Sequence, residues 1–460
     1  MNAKFVSRRE FGKLLGGAAV AVGAGLRANG AAAASPHGAA EAPPYGWPSG
    51  AARGLPHDAQ TQLPPATGST DENYWRTVRE KFLLPRDLAL MNAANLCPAS
   101  RPVLEVLEAE TRWVDRDPSL PNRRRMTEGR EATRKLLAEF LRASPEEIVI
   151  TRNTSEGNNI VSSGLDLKAG DEVIVVSDNH PSLLAAWQQK AKRFGFTVRV
   201  IEQVNPHPGT EYYVSAFAKA ITPLTRVIAI SHVTASVGDL FPAKEICRLA
   251  REHGVLSIVD AAQSFGVLDI DLSDMQPDFF TGSAHKWPCG PREVGVLYVR
   301  GGSAKASPYP NGLTLSPSIV SLYAGAVGAS TAFEGMGQRD DAAVMAFGEA
   351  LKLQAAIGRA AIERRSRELA QALIEGLKKT PGVKVWTHAD PTRSAAIVSF
   401  QPGALNGGTL ATALYERDRI AVMARGGADR PGLRVSPHFY NLHEEVDRLL
   451  AAVRRYAATT

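Results

Sequence analysis

Val255-Leu256-Ser257-Ile258-Val259-Asp260 is an unbroken, mostly apolar run that ends on an aspartate and is followed by Ala261-Ala262-Gln263-Ser264. A second run, Asp278 to Gly282, leads into Ser283-Ala284-His285-Lys286-Trp287-Pro288-Cys289-Gly290-Pro291. Apolar runs without polar alternation describe strands covered on both faces. The same pattern extends outward in both directions. Glu147 to Thr151 precedes a helix candidate from Ser155, and Glu172 to Val176 precedes another over Ser182 to Arg193. Thr197 to Ile201 follows, and Arg226 to Ile230 leads to a helix over Ala243 to His253. That helix puts Ile246, Leu249 and Ala250 on one face and stops at Gly254. Val294 to Val299 is a last strand of this series. Buried strands alternating with helices predict an α/β protein with a mostly parallel sheet and right-handed crossovers.

After Phe333 the pattern changes. A helical region over Asp341 to Thr380 precedes strands at Ala395 to Phe400 and Leu433 to Ser436. Asn441 and Glu444 read as a capping box before a helix striped by Val446, Leu449, Leu450 and Val453. The expected division is a large domain over 101–335 and a smaller C-terminal α/β domain over 336–460. Residues 71–100 are expected to pack back on the smaller one.

In open α/β sheets ligands gather at the carboxyl ends of the strands. Past Thr151 stand Thr154 and Ser155 at a helix start, a favourable place for a phosphate; a plain helix cap explains them equally well. Past the next strand comes His180, ordinary as a lone loop histidine. Asp260 closes an apolar strand, where a buried carboxylate demands a cation, either an arginine or a protonated ring nitrogen. Lys286, flanked by Ser283, His285 and Trp287, is placed for desolvation, which lowers an amine's pKa and makes it a Schiff-base nucleophile. A solvated loop lysine is the plainer alternative. In this order on successive strands, phosphate cup, imidazole, carboxylate and lysine are the parts of a pyridoxal 5'-phosphate (PLP) site.

With those motifs, Asp260 to Gly266 and Gly282 to Pro291 above all, the chain resembles the class V aminotransferase family of fold type I PLP enzymes. That family includes cysteine desulfurases, isopenicillin N epimerase-like proteins and kynureninase. The likeness runs from about Met91 to Ala452. It implies Lys286 as the Schiff-base lysine that moves the substrate α-proton, and Asp260 as partner of the pyridine nitrogen. It implies Gln263 against the ring hydroxyl and His180 stacked on the ring. Thr154, Ser155, Ser283 and His285 would hold the phosphate. Arg434 would clamp the substrate α-carboxylate, a bidentate task suited to a guanidinium, and Asn95 would border the substrate. Residues Phe333 to Arg339 lie where relatives reach a partner's phosphate, which implies a homodimer.

Departures from the family narrow the chemistry. Cysteine desulfurases carry a nucleophilic cysteine before the carboxylate-binding arginine, and Met423 to Arg430 contains none. His232-Val233-Thr234 is closer to the epimerase-like branch. An aminotransferase or epimerase-like reaction on an amino acid is therefore expected, and the resemblance to exported members of the family, with the export motif below, implies an amino-acid moiety of a secreted peptide or siderophore as substrate. The alternatives are a PLP-dependent C–S or β-elimination lyase of desulfurase type, and a periplasmic binding protein that keeps the fold without catalysis.

The N-terminus reads as an address. Lys4, Arg8 and Arg9 precede an uncharged stretch from Leu14 to Leu26, and small residues follow to Ala34. Ser7-Arg8-Arg9-Glu10-Phe11-Gly12-Lys13 resembles the twin-arginine export motif, so 1–34 is expected to engage the twin-arginine translocase and be cleaved near Ala34, leaving a periplasmic protein. The Pro-, Gly- and Ala-rich segment over 35–70 is expected to be a disordered linker. The 460 residues carry a net charge of +6, which invites a nucleic-acid partner. Lys4, Arg8, Arg9, Lys13 and Arg27 against Glu10 account for four of those six charges, and Arg123 to Arg125 is the sole basic cluster in the body. Neither nucleic-acid binding nor stable membrane insertion is expected, since no uncharged run has the roughly 18 residues a span needs. Cys97, Cys247 and Cys289 match no zinc spacing, so no metal is expected.

Overall fold

β-Branched and aromatic residues form the strands where the apolar runs stand. In the computed structural model the described residues are 63, 71–302, 308–317, 319, 328–426 and 429–458. The segments expected to be a twin-arginine signal and, apart from Leu63, a linker lie outside them. The strands are β1 (Ala89–Leu90), β2 (Ile148–Thr151), β3 (Glu172–Val176), β4 (Thr197–Ile201) and β5 (Thr225–Ser231). β6 (Leu256–Asp260), β7 (Phe279–Ser283), β8 (Gly295–Val299), β9 (Val383–Val385) and β10 (Val398–Pro402) follow. Last come β11 (Ile420–Ala421), β12 (Met423–Arg425) and β13 (Gly432–Val435).

The seven-stranded sheet has the order β2-β8-β7-β6-β5-β3-β4. Its strands are parallel from β4 through β3, β5 and β6 to β7, whereas β8 runs antiparallel to both β7 and β2. Both faces are covered. Ile150, Val176, Ile228 and Val259 point into one core and Val149, Val175, Ala229 and Ile258 into the other, which is why these strands read as continuous apolar runs. The carboxyl ends Thr151, Val176, Ser231, Asp260 and Ser283 therefore open along one edge of the sheet.

A second, antiparallel sheet has the order β12-β13-β10-β9. Its core joins Val398, Phe400, Leu433 and Val435 to Leu369, Leu373 and Leu449 of neighbouring helices, and to Ala89 and Met91 from the N-terminal segment. β1 pairs with β11, and Asn92 bridges to Ser436. The helix Glu72–Arg79 is fixed to the last helix by Arg79–Glu445 at 3.0 Å and Arg76–Glu444 at 3.1 Å.

Several elements differ from the sequence reading. The helical region after 341 is two helices, Asp341–Ile357 and Arg359–Lys378, broken at Gly358 with φ 92°, a conformation that favours glycine. The first of them buries Val344, Phe347 and Leu351 in the large-sheet core, so a boundary at 335/336 falls ahead of a helix that packs with the larger core. The capping carboxylate of the last helix is Glu445, which accepts from Leu442 N at 3.0 Å and Asn441 Nδ2 at 2.9 Å; Glu444 faces Arg76 instead. The helix expected from Ser155 begins at Thr154, capped by Asn153, whose Oδ1 accepts from Glu156 N at 3.0 Å. Helices Arg101–Arg116 and Leu120–Leu141, each with proline in its first turn, fill a stretch the apolar pattern left unassigned. Arg123 to Arg125 lie on the second of these, where Arg125 pairs with Glu110 and Arg123 with Gln338. Among the described residues no helix is long and apolar enough to cross a membrane.

Candidate active site

β7 ends at Ser283 and the chain turns sharply through Lys286. Cys289 N–H donates to Lys286 O at 2.9 Å and Gly290 N–H to Ala284 O at 2.8 Å. Gly266 holds the partner stretch against this turn. Its φ is +94°, and a Cβ there would stand 2.5 Å from Pro288 N, so a side chain would push the two stretches apart.

Asp260 is 2% exposed at the end of β6. Its Oδ2 accepts from Asn158 Nδ2 at 2.8 Å and its Oδ1 from Ala262 N at 3.0 Å. Thr281 Oγ1 donates to Asn158 Oδ1 at 2.8 Å, which fixes the amide so that its NH₂ faces the carboxylate. No described residue forms an ion pair with Asp260. The arginine salt bridge that would have explained it is absent from this end of the strand. Asn158 was not among the expected site residues. Its signal lay in helical spacing, four positions after Thr154 on the same face.

His180 caps the helix Pro181–Phe194, its Nδ1 accepting from Ser182 N at 3.2 Å. Behind it Asn179 ties two strands together, donating to Ala229 O at 2.8 Å and accepting from Ser231 N at 2.9 Å. Burial lowers the His180 pKa; the Asp260 charge opposes this, and Lys286 and Arg434 add to it. Burial likewise lowers the Lys286 amine, with Asp260 opposing and Arg434 reinforcing. These four groups thus share one electrostatic environment, with Arg434 delivered from β13 of the second sheet. Arg434 Nη1 donates to Ala235 O at 2.9 Å, while its buried Nε has no partner. Burial, helped by Arg425, brings the guanidinium down to about 10.

At the neighbouring helix start Ser283 Oγ accepts from Thr154 N at 2.9 Å and lies 2.8 Å from Thr154 Oγ1. Ser155 follows in the first turn and lines a cavity of about 370 Å³ with Arg152, Glu156, Phe333 and Met336. His285 is half-buried, its pKa lowered to about 4 by burial, with Lys286 and Arg292 adding to it. Asn95 is exposed on the loop before Cys97. That loop is anchored from both sides: Ala94 N donates to Ser436 Oγ at 3.0 Å and Cys97 N to His285 O at 2.9 Å. Gln263 is occupied differently from the expectation. Its Nε2 donates to Ala94 O and its Oε1 accepts from Trp287 Nε1, both at 2.9 Å, so its amide braces this loop against the lysine turn. Glu334 and Arg339 also turn inward: Glu334 pairs with buried Arg134, and Arg339 donates to Ile150 O at 2.6 Å.

This donor set fits PLP. A buried carboxylate without a cation suits a protonated ring nitrogen, and a helix start with two hydroxyls suits a phosphate. A desolvated amine suits a Schiff base, and a guanidinium with an unspent buried N–H suits a carboxylate.

The Aminotransferase class-V family matches residues 114–449. Isopenicillin N epimerase of Amycolatopsis lactamdurans is 32% identical over 393 residues, spanning 83% of this chain and 98% of that protein. A probable cysteine desulfurase of Halalkalibacterium halodurans is 32% identical over 349 residues, spanning 72% and 82%. Among solved structures, a C-DES mutant with glycine covalently linked to its PLP cofactor superimposes with a TM-score of 0.73 at 26% identity, covering 82% of this chain and 98% of that one. The complex of the cystine C–S lyase C-DES with its product cysteine persulfide gives 0.70 at 27% identity, covering 79% and 97%.

Proposed function

Because the chain belongs to the aminotransferase class-V family, whose members depend on pyridoxal 5'-phosphate, we propose that it removes the α-proton of an amino acid, or of an amino-acid moiety in a secreted peptide, in an aminotransferase or epimerase-like reaction. Its fold is that of the fold type I PLP enzymes. The observation that carries the proposal is the convergence of Lys286, Asp260, His180 and Arg434 on one site.

When bound, PLP supplies an electron sink for the negative charge that develops at the substrate α-carbon. The chain's residues do the rest. Asp260, fixed by Asn158 and the Ala262 N–H, would hold the proton on the ring nitrogen. Thr154, Ser155, Ser283 and His285 would hold the phosphate at the helix start. Lys286 would hold the cofactor covalently and, once the substrate amine has displaced it, would take the α-proton at its freed Nζ. Burial lowers the pKa of this amine, which raises its share of neutral base. Arg434 offers its unspent Nε–H to the substrate α-carboxylate, and Asn95 borders the substrate from its exposed loop.

Persulfide transfer of desulfurase type is disfavoured by where this chain's cysteines stand. Met423 to Arg430 lacks cysteine. Cys247 is buried with its thiol pushed up to about 12, and burial also raises Cys289. The twin-arginine motif supports action in the periplasm after export of the folded protein, and a homodimer is the proposed assembly.

The test is reaction in deuterated water with candidate amino acids and secreted peptides, read by mass spectrometry. Deuterium at the α-carbon with inverted configuration marks epimerisation, and an oxo acid marks transamination. Release of a β-substituent would move the reading to a lyase. Absence of exchange into every candidate, with PLP bound, would favour a non-catalytic binding protein.

A further inference from the structure

Two cysteines meet beside the site from distant parts of the chain. Cys97 ends the loop that carries Asn95, and Cys289 ends the turn that carries Lys286. Their sulfurs lie within 4.8 Å of each other, and both side chains are buried. The loop that brings Cys97 here is held by its N–H bond to His285 O at 2.9 Å. The Tyr440 hydroxyl faces Cys97 Sγ at 3.7 Å, and Cys289 Sγ points to Trp287 O at 3.7 Å. Cys97 also lines a cavity of about 600 Å³ together with Asn95, Gly290 and Arg292, which gives a small oxidant a route to it.

We propose that Cys97 and Cys289 form a dithiol pair that closes to a disulfide, tying the Asn95 loop to the Lys286 turn. A metal site is the competing reading, because His438 also lies within 4.8 Å of both sulfurs. Its nitrogens are already used. Nε2 stands 2.7 Å from the Trp287 carbonyl, which can only accept, so Nε2 carries the proton; Nδ1 then takes the Ser366 hydroxyl hydrogen at 3.2 Å. No imidazole lone pair is left for a cation.

The oxidant is a peroxide. Cys97 Sγ attacks one peroxide oxygen, the O–O bond breaks, and one water leaves after protonation, giving a sulfenic acid. Cys289 Sγ then attacks that sulfur; the S–O bond breaks, the S–S bond forms, and a second water leaves. Two thiols lose two electrons and two protons, and the peroxide is reduced to two waters. Closure brings the sulfurs from the observed separation to the roughly 2.05 Å of a disulfide. Cys97 lines the cavity and Cys289 does not, which makes Cys97 the first to react. Cys247, buried in the helix Ala243–Glu252, is outside the pair and provides an internal control.

The test uses the full-length holoenzyme, reduced, exposed to hydrogen peroxide and then alkylated under denaturing conditions. One alkylated cysteine, Cys247, is expected, with loss of two hydrogens in intact mass. A linked peptide pair containing Cys97 and Cys289 should appear and vanish on reduction with dithiothreitol. The oxidised form should melt at least about 4 °C higher, since the bond closes a very long loop. The variant Cys247→Ser should form the same link. Three alkylated cysteines, oxygen addition without a crosslink, or a link that involves Cys247 would overturn the proposal. None of these readouts depends on the reaction the enzyme catalyses.

Discussion

Asp260 and Asp278 are both 2% exposed and belong to neighbouring strands, one at the carboxyl end of β6 and one directly before β7. Asp278 is saturated: Oδ2 accepts from Ser257 N at 2.8 Å and Ser257 Oγ at 3.0 Å, and Oδ1 pairs with Arg300. Asp260 has two neutral donors and no ion pair among the described residues. Arg134 and Arg434 repeat the contrast among cations. Arg134, fully buried, donates to Glu131, Glu334 and the Ile148 carbonyl, whereas Arg434 donates to one carbonyl and keeps a buried N–H unspent. Burial is nearly alike within the first pair, so it does not identify a functional charge. What does is a buried charge whose bonding capacity is left open, since the fold alone gains nothing from leaving it so.

The largest effect should come from the saturated side. Arg134→Met would leave Glu334 buried without its cation and is expected to cost about 3–5 kcal/mol of stability in urea titration. Asp260→Asn should behave in the opposite way. It is expected to lower kcat by about 10²–10³-fold, as loss of one preorganised electrostatic contact does, while the urea midpoint stays near wild type. Asp278→Asn, which leaves half-buried Arg300 without its partner, should cost about 2 kcal/mol and spare kcat. A kinetically silent Asp260→Asn that unfolds would break the comparison.

Arg434→Gln should raise KM about tenfold, the value of a charge-assisted bond of roughly 1.5 kcal/mol, with a smaller change in kcat. The smallest effect is a pH dependence. Burial lowers His232 to about 4 and His438 to about 3. Below about pH 6.5 the unfolded chain takes up protons the folded chain refuses, so these histidines withdraw stability as pH falls. Asp239, raised to about 7 by burial, works the other way: the folded chain holds a proton that the unfolded chain releases down to about pH 4. His207 and His285, both lowered to about 4 mainly by burial, act in the same direction as His232 and His438, so against the one aspartate stability falls from pH 7 to pH 5. In Asp239→Asn that loss should deepen, which a pair of urea titrations would read.

The sheet and its ligand edge were legible because each depends on a local pattern. Glu172–Val176 and Thr197–Ile201 read off the apolar run to the residue, and Asp260 and Lys286 stand out once strand ends are compared. Gly358 was not legible as a break, since one glycine in an Ala- and Leu-rich stretch costs only about 1 kcal/mol; the break depends on packing. Asn158 was hidden because its partners are 102 and 123 residues away. Gln263 was placed in the right loop, but its bonds to Ala94 and Trp287 are set by the tertiary fold. The Cys97–Cys289 approach was invisible for the same reason.

Lys286 is the residue proposed to hold PLP. Purified protein should be yellow with the cofactor bound, and borohydride reduction followed by peptide mapping should place a phosphopyridoxyl group on Lys286. Lys286→Ala should lose both the visible band and the adduct while keeping its melting temperature within a few degrees. A colourless wild-type protein that never takes up PLP, or an adduct on any other lysine, would contradict it.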